Sequence, residues 1–477
     1  MISNEQLSRR LGLAVSEPVA NQLSISDFID DHLSRPPSKL AVKSHADPFN
    51  AAEPLPKELV YSLWRRVSFT QKWWRELEKA EKLGDERKID AHMRPLEYLF
   101  KERFDEKIFT NYAVFSNDHI NHRISHFWLN HFTVGLTGSN RSYIGDYWET
   151  VVYGSISLKF KDLLYSCITH PAMLDYLDNI ENVGEKSQAA KWCNESRECE
   201  AGLNDNLARE ILELHTVTPD RGYSEDDIKN GAKVLAGWGN HFQHDFSERV
   251  HDYYQPWEPA HAEPGNKEVL GLRLGGGKKS LRKLTDFLAE DDATVHHLSS
   301  KLLAHFATQI SREDVEAVSK VWRQTDGSLP AIHHKVLEIA ATTSAPNAPW
   351  PLTWGVQVCR MSRANPFLGY EEDVYQIGTD ERRDPHQIWP EIGMSFWSKR
   401  QPDGFSQNAG DWNSTEYMDR RVRFADMAYS FGQPELTVDE IMDAQRVRPE
   451  TRALVAQATK DKDKFILLMC SPEMMEA

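Results

Sequence analysis

The chain has 477 residues, 40% of them hydrophobic and 27% charged, with a formal net charge of −16. That composition is that of a soluble globular protein able to bury a large core, and the negative balance argues against a general nucleic-acid or anionic-membrane binder, since both need a basic footprint. No apolar run reaches the roughly 20 residues that span a bilayer, and the opening "MISNEQLSRRLGLAVSEP" lacks the apolar centre of a signal peptide, so a cytoplasmic protein is expected from the chain as written.

Helical periodicity dominates. It predicts helices over 56–82, 118–132, 157–168, 204–216, 225–238, 280–289, 293–307, 312–323 and 329–341, while strand-like alternation is scarce. The expected fold is mainly α, a large single helical domain over 1–477 with long ordered loops and little or no sheet. A sub-boundary is expected near 342–352, and residues 1–50 are expected to be peripheral. The loops at 252–267, 344–355 and 401–415 are rich in proline, glycine and aromatics, which implies packing against the body.

The helix "NDHINHRISHFWLNHF" (117–132) sets His119, His122, Arg123, His126 and Asn130 on one arc and Ile120, Ile124, Phe127, Trp128 and Phe132 on the other. His131 falls in the apolar arc. His119, His122 and His126 stand at i, i+3, i+7, a spacing that lets imidazoles reach one divalent metal, although no HExxH pattern is present.

The polar segment 182–202 is expected to be the most mobile insertion. It holds Cys193 and Cys199, two of five scattered cysteines. They could pair under oxidising conditions, but free thiols are the expectation for a chain without an export signal.

The stretch "LNDNLAREILELHT" (203–216) is the first place to look for chemistry. At 100° per residue from Asn206, Glu210 lies at about 40°, Glu213 at about 340° and Arg209 at about 300°, one polar arc. His215 lies opposite, at about 180°, among the leucines. A solvated face with an Arg209–Glu213 ion pair is one reading. The sharper one places the arc on a cleft, with Glu210 and Glu213 as acid/base or metal-ligand groups.

Further on, "RGYSEDD" (221–227) is a capping signature, with Ser224 as the cap and Asp227 three residues later. The stretch 240–271 offers His241, His244, Asp245, His251, Asp252, His261, Glu263 and Lys267 as possible metal or anion groups, but in no recognised spacing. "GLRLGGGKKS" (271–280) fails as a phosphate loop, because lysine follows Gly277-Lys278 where Ser or Thr is needed. There is no GxSxG elbow and no GxGxxG fingerprint.

Several stretches, in order, resemble one bacterial family, that of the domain of unknown function 1800. "FWLNHFTV" (127–134), "THPAMLDYLDN" (169–179), "LNDNLAREILELHT", "GYSEDDIKNGAKVLAGW" (222–238), "HAEPGNKEVLG" (261–271), "IGMSFWSKRQPDGF" (392–405) and "WNSTEYMDRRVRFA" (412–425) are similar to its signatures. The chain departs at Leu207, where the family has Tyr, at Asp205, where it has Glu, and at Ala262, where it has Asp. The resemblance implies one large helical unit and raises Asn130, His131, Asn206, Arg209, Glu210, Glu213 and His215 as cleft or buried-network residues. It also implies a partner: members are often encoded beside proteins of the domain of unknown function 1501 family, sulfatase- or phosphatase-like, with twin-arginine signals. Export as a passenger follows from that.

The functional expectation is a hydrolase or lyase on a polar, glycan-like or anionic substrate. Glu210 and Glu213 would do acid/base work assisted by His131 and His215, with Asn130, Asn206, Arg209 and Lys267 binding substrate. A divalent metal on His119, His122, His126 or His261 is the cofactor candidate. The alternative is a non-catalytic partner or maturation factor of the co-encoded protein, with the same residues as a buried polar network.

Overall fold

A computed structural model describes residues 2–14, 22–35, 42–43, 52–53, 77–84, 87, 109, 112–137, 140, 143–197, 199, 201–243, 253–343, 349–364, 392–394, 397–432 and 434–475. The helices are α1 (Asn4–Leu11), α2 (Ile25–Leu33), α3 (His119–His131), α4 (Phe160–Thr169), α5 (Pro171–Tyr176), α6 (Gln188–Ser196), α7 (Asn206–Glu213), α8 (Glu225–Leu235) and α9 (Lys279–Glu290). They continue as α10 (Asp292–Phe306), α11 (Arg312–Gln324), α12 (Leu329–Thr342), α13 (Pro351–Ser362), α14 (Thr415–Phe431), α15 (Val438–Ala444), α16 (Pro449–Val455), α17 (Asp461–Met469) and α18 (Pro472–Met475). A π-helix at Tyr147–Tyr153 lies between α3 and α4. Among the described residues no helix is long and apolar enough to cross a membrane.

Local chemistry explains the helix ends. Ser224 and Asp227 form the reciprocal capping box that the sequence predicts for α8, and Ser311 with Asp314 does the same for α11. The C-terminal end of α8 comes earlier than expected. Gly237, at φ +97, turns the chain out of the helix, and Trp238 begins a strand.

The mainly α expectation holds. Among the described residues, strands occur as three antiparallel two-stranded ribbons: β1 (Val42–Lys43) with β2 (Ala52–Glu53), β3 (Trp238–Gln243) with β4 (Tyr253–Trp257), and β5 (Lys267–Val269) with β6 (Leu272–Leu274). The loop expected at 252–267 therefore holds a strand. Trp238 pairs with Trp257 across the ribbon, their rings 5.4 Å apart, so aromatic packing sets this register. Of the helix expected at 56–82, residues 77–82 are described, and they are helical.

One contiguous apolar cluster runs from Leu7 to Met474. At its centre lies α3, buried at every position but Leu129. Its polar arc therefore faces protein, not water. Ser8 of α1 lies 3.1 Å from Nε2 of His119. Arg123 donates to the carbonyl of Arg10 at 2.6 Å, and its guanidinium lies 4.8 Å over the ring of Phe306. Arg360 of α13 donates to the carbonyls of Ala14, Ala113 and Val114 at 2.8, 2.9 and 3.0 Å. Residues 2–14, expected to be peripheral, are thus bound into the core. This segment supplies backbone carbonyls to two buried guanidiniums, those of Arg10 and Gly12 to Arg123 and that of Ala14 to Arg360.

The segment expected to be most mobile carries α6. Ser187 caps it, accepting from Ala190 N at 3.0 Å, and Ala190 and Cys193 are buried. Cys193 and Cys199 are disulfide-bonded, which corrects the expectation of free thiols.

Candidate functional site

The C-terminal ends of α3 and α7 meet. His131 Nε2 donates to the carbonyl of His215 at 3.2 Å, and the two rings lie 5.7 Å apart, edge to face. Both residues are buried. The sequence places each histidine in an apolar arc, and in the folded chain those arcs face one another.

A third element completes the cluster. Lys301 of α10 brings its Nζ 3.1 Å from Nδ1 of His131. Burial pushes the Lys301 ammonium down to about 8, with the Asp403 carboxylate partly opposing that fall. Burial and the Lys301 charge hold His131 well below the usual imidazole range and push His215 down to about 3. His297, one turn before Lys301, is pushed down to about 4 by burial and by Lys301. Neither ring nitrogen of His215 has a hydrogen-bond partner among the described residues.

The acidic side comes from α7 and the loop before α14. Glu210 is half-buried. Burial raises its carboxyl above the usual range, and the charges of Glu213 and Asp403 raise it further, against the pull of Arg209. Glu213 accepts from the Tyr223 hydroxyl at 3.4 Å. Burial raises the Tyr176 phenol too, with help from Asp403 and Glu210. Glu210, Asp403, Lys301 and His131 therefore form one electrostatic group. Asp403 links its two sides, acting both on the Glu210 carboxyl, which is raised above its usual range, and on the Lys301 amine, which is lowered.

The residues expected to bind substrate are otherwise engaged. Arg209 forks onto Glu225, Nη1 and Nη2 at 3.2 and 3.1 Å, and also reaches Asp205 at 3.3 Å. That replaces the expected pair with Glu213 and clips α7 to α8. Asn206 donates to Asp178 at 3.3 Å. Lys267 Nζ donates to the carbonyls of Glu263 and Gly265 at 2.6 and 3.0 Å, closing a turn. Asn130 donates to Phe405 O at 3.0 Å and accepts from Phe405 N at 2.7 Å.

That last pair fixes a strap, residues 397–405, onto the end of α3. Leu136 N donates to Trp397 O at 2.7 Å, and Tyr176 donates to Lys399 O at 3.4 Å. The approach is close enough to require glycine on both sides. A Cβ on Gly135 would lie 2.2 Å from Lys399 O, and one on Gly404, at φ +73, would lie 2.4 Å from Asn130 O. The strap carries Asp403 into the charged group.

Of the weak metal candidates, His122 and His126 lie ring to ring, 4.6 Å between centres, but no third ligand joins them among the described residues. His119 is bonded to Ser8. His122 Nε2 lies 3.4 Å from Phe109 O, and His126 stacks on Phe109 at 5.1 Å. His261 sits in the turn before β5. Among the described residues no three His, Cys, Asp or Glu side chains gather as a metal site. The side chains of His241, His244, Asp245, His251 and Asp252 lie outside the described residues.

Sequence reasoning missed Lys301, His297 and Asp403. The available signal was a histidine and a lysine one turn apart, His297 and Lys301, in a helix otherwise rich in leucine. No curated protein and no solved structure matches the chain. A family model described as "Protein of unknown function (DUF1800)" matches residues 6–476, nearly the whole length, and the chain belongs to that family.

Proposed function

We propose that this protein is an acid–base enzyme, a hydrolase or lyase acting on a polar, anionic substrate. The observation that carries the reading is Lys301, its Nζ held 3.1 Å from His131 Nδ1 in the group that contains Glu210 and Asp403. Glu210 is the proton donor, since its raised affinity keeps the proton closer to neutral pH. Lys301 is the base. With its ammonium near 8, roughly a tenth of it is neutral amine at pH 7. Asp403 stabilises the ammonium formed when the proton is taken, and His131 aims the amine. His215 is a positioning residue, whose carbonyl fixes the His131 ring.

The test uses the purified full chain on a panel of uronate oligosaccharides, sulfate and phosphate monoesters and carboxylate esters. Turnover lost at least 100-fold in both Glu210→Gln and Lys301→Met, with helical circular dichroism unchanged, supports the reading. No turnover of any panel member, or full turnover by both variants, overturns it.

The in-chain pairing of Asn130, Asn206, Arg209 and Lys267 favours a second reading. These signature residues would form a structural network in a non-catalytic partner or maturation factor of a co-encoded protein of the domain of unknown function 1501 family. Such a role would show as a changed yield or activity of that protein on co-expression, equally with Lys301→Met and with wild type.

A further inference from the structure

A cleft of about 270 Å³ opens where the ends of α9 and α11 meet the starts of α4 and α10. That volume lies near the small end of ligand sites, which begin at roughly 300 Å³, so it fits a metabolite of amino-acid size. None of its lining residues belongs to the charged group around Lys301.

Its inner wall is Phe160, Ala289, Val295 and Trp322, all buried. The Phe160 and Trp322 rings stand edge to face, 5.1 Å apart. The Trp322 indole N–H has no acceptor among the described residues. Beside it runs the turn at Gly327, pinned by a bond from Phe160 N to its carbonyl at 2.8 Å and by one from its own N–H to Trp322 O at 2.9 Å. A Cβ on Gly327, at φ +69, would lie 3.3 Å from Trp322 Nε1, so glycine leaves that donor uncovered. A donor on a buried ring needs an acceptor from outside the chain.

The mouth carries two cations and two carboxylates, Lys161, Arg323, Glu290 and Asp326. Lys161 and Asp326 are engaged with each other. Lys161 Nζ donates to both Asp326 oxygens at 3.1 and 2.8 Å, and Lys159 donates to the same carboxylate at 2.6 Å. The other two groups have capacity left. Arg323 gives Nε to Asp292 and Nη1 to Glu316 at 3.0 and 3.2 Å, pairs between exposed side chains that hold weakly. Its Nη2 has no partner among the described residues. Glu290 accepts no hydrogen bond among the described residues, and its ion pair with Lys161 is long, at 3.7 Å.

An anion alone would meet Glu290 and Asp326, and a cation alone would meet Lys161 and Arg323. A molecule of both signs has a partner for each. From this arrangement we infer that the cleft binds a free α-amino acid with an apolar side chain. Its carboxylate lies on Arg323 and the Trp322 N–H, its ammonium on Glu290, and its side chain along the aliphatic stems of Lys161 and Arg323. The site is separate from the acid–base group and does not depend on the reading given to it.

The experiment is calorimetric titration of the full chain with L-leucine at millimolar concentration. The comparisons are 4-methylpentanoate, which lacks the ammonium, 3-methylbutylamine, which lacks the carboxylate, and L-glutamate, which changes the side chain. L-leucine is expected to bind in preference to all three. Arg323→Met and Glu290→Gln, both at exposed side chains, each weaken it about tenfold, the loss of one charge-assisted contact, with circular dichroism unchanged. Lys301→Met leaves leucine affinity within about twofold, so failure of the catalytic reading and failure of this one are told apart. No binding of L-leucine, equal or tighter binding of any of the three comparisons, or wild-type affinity in both Arg323→Met and Glu290→Gln overturns the proposal.

Discussion

Lys301 Nζ donates to Nδ1 of His131, and with the bond from Nε2 this fixes the tautomer of the ring. The imidazole accepts at Nδ1, so its proton sits on Nε2, where it donates to the carbonyl of His215. Only the neutral ring can do both. The lysine in turn is held in a desolvated site in which its charge is costly and its free base accessible near neutral pH.

That cost is measurable. The folded-state value for Lys301, about 8, lies below the ordinary lysine value. Its contribution to stability is therefore full above the ordinary value and is lost as pH falls through about 8. Lys301→Met should stabilise the fold at pH 7 by about 2 kcal/mol, after allowance for the lost hydrogen bond to His131, and by little at pH 10. Urea unfolding at the two pH values checks this.

Asp118 gives the opposite case. It sits at the start of α3 with hydroxyl donors from Tyr153 and Tyr112. Burial pushes its carboxyl up to about 6, against the effect of those donors. Its stabilising contribution is present below the ordinary aspartate value and is lost as pH rises through about 6. Asp118→Asn should gain about 2–3 kcal/mol at pH 7.5 and almost nothing at pH 4. An equal effect at both values would show that the carboxyl is not shifted.

The buried histidines make the fold sensitive to acid. His119, His122, His126, His131, His215, His305 and His333 are all held below the ordinary imidazole value, chiefly by burial. They stay neutral when folded but take up protons when unfolded. Their contribution is complete above about pH 6.5 and is lost as pH falls toward the folded-state values, about 3 for His126, His215 and His333. The melting temperature should fall steeply below pH 6. His215→Phe should reduce the slope by up to about 1.4 kcal/mol per pH unit.

Loosening the strap should expose how much of the site depends on it. Gly135→Ala and Gly404→Ala each force a Cβ against a backbone oxygen, and each should cost about 1–3 kcal/mol. The double variant should cost less than the sum, since both act on one contact surface. Thermal unfolding gives the costs. Limited proteolysis should show faster cleavage within 397–405 in both single variants, and unchanged cleavage there would contradict the docking.

The Cys193–Cys199 bridge closes a short loop, so a modest stabilisation is expected. Cys193→Ser should lower stability by about 2 kcal/mol, seen as a loss in urea midpoint that reducing agent reproduces in the wild type.

Much of the helical architecture is legible in the sequence because its causes are local. Helices α9 to α12 end within one residue of the positions that periodicity and caps predict. The Ser224–Asp227 box forms between residues three apart, and His215 turns inward because it shares an arc with leucines. The outline of α7 as a charged arc opposite a buried histidine is likewise a property of its own residues.

Tertiary structure decided everything that depends on a distant partner. On α3 the sequence shows a polar arc that a surface helix would also have. It is buried because the carbonyls of residues 10 and 12 and the Ser8 hydroxyl arrive to meet Arg123 and His119. Arg209 has carboxylates available one turn away on either side, and the packing of α7 on α8 selects Glu225 and Asp205 over Glu213. Lys301 is an unremarked lysine until 170 residues of intervening chain fold back to set it on His131. A helix's periodicity records which face avoids water. It does not record which desolvated polar group will meet which other, and that pairing is what turned separate motifs into one candidate site.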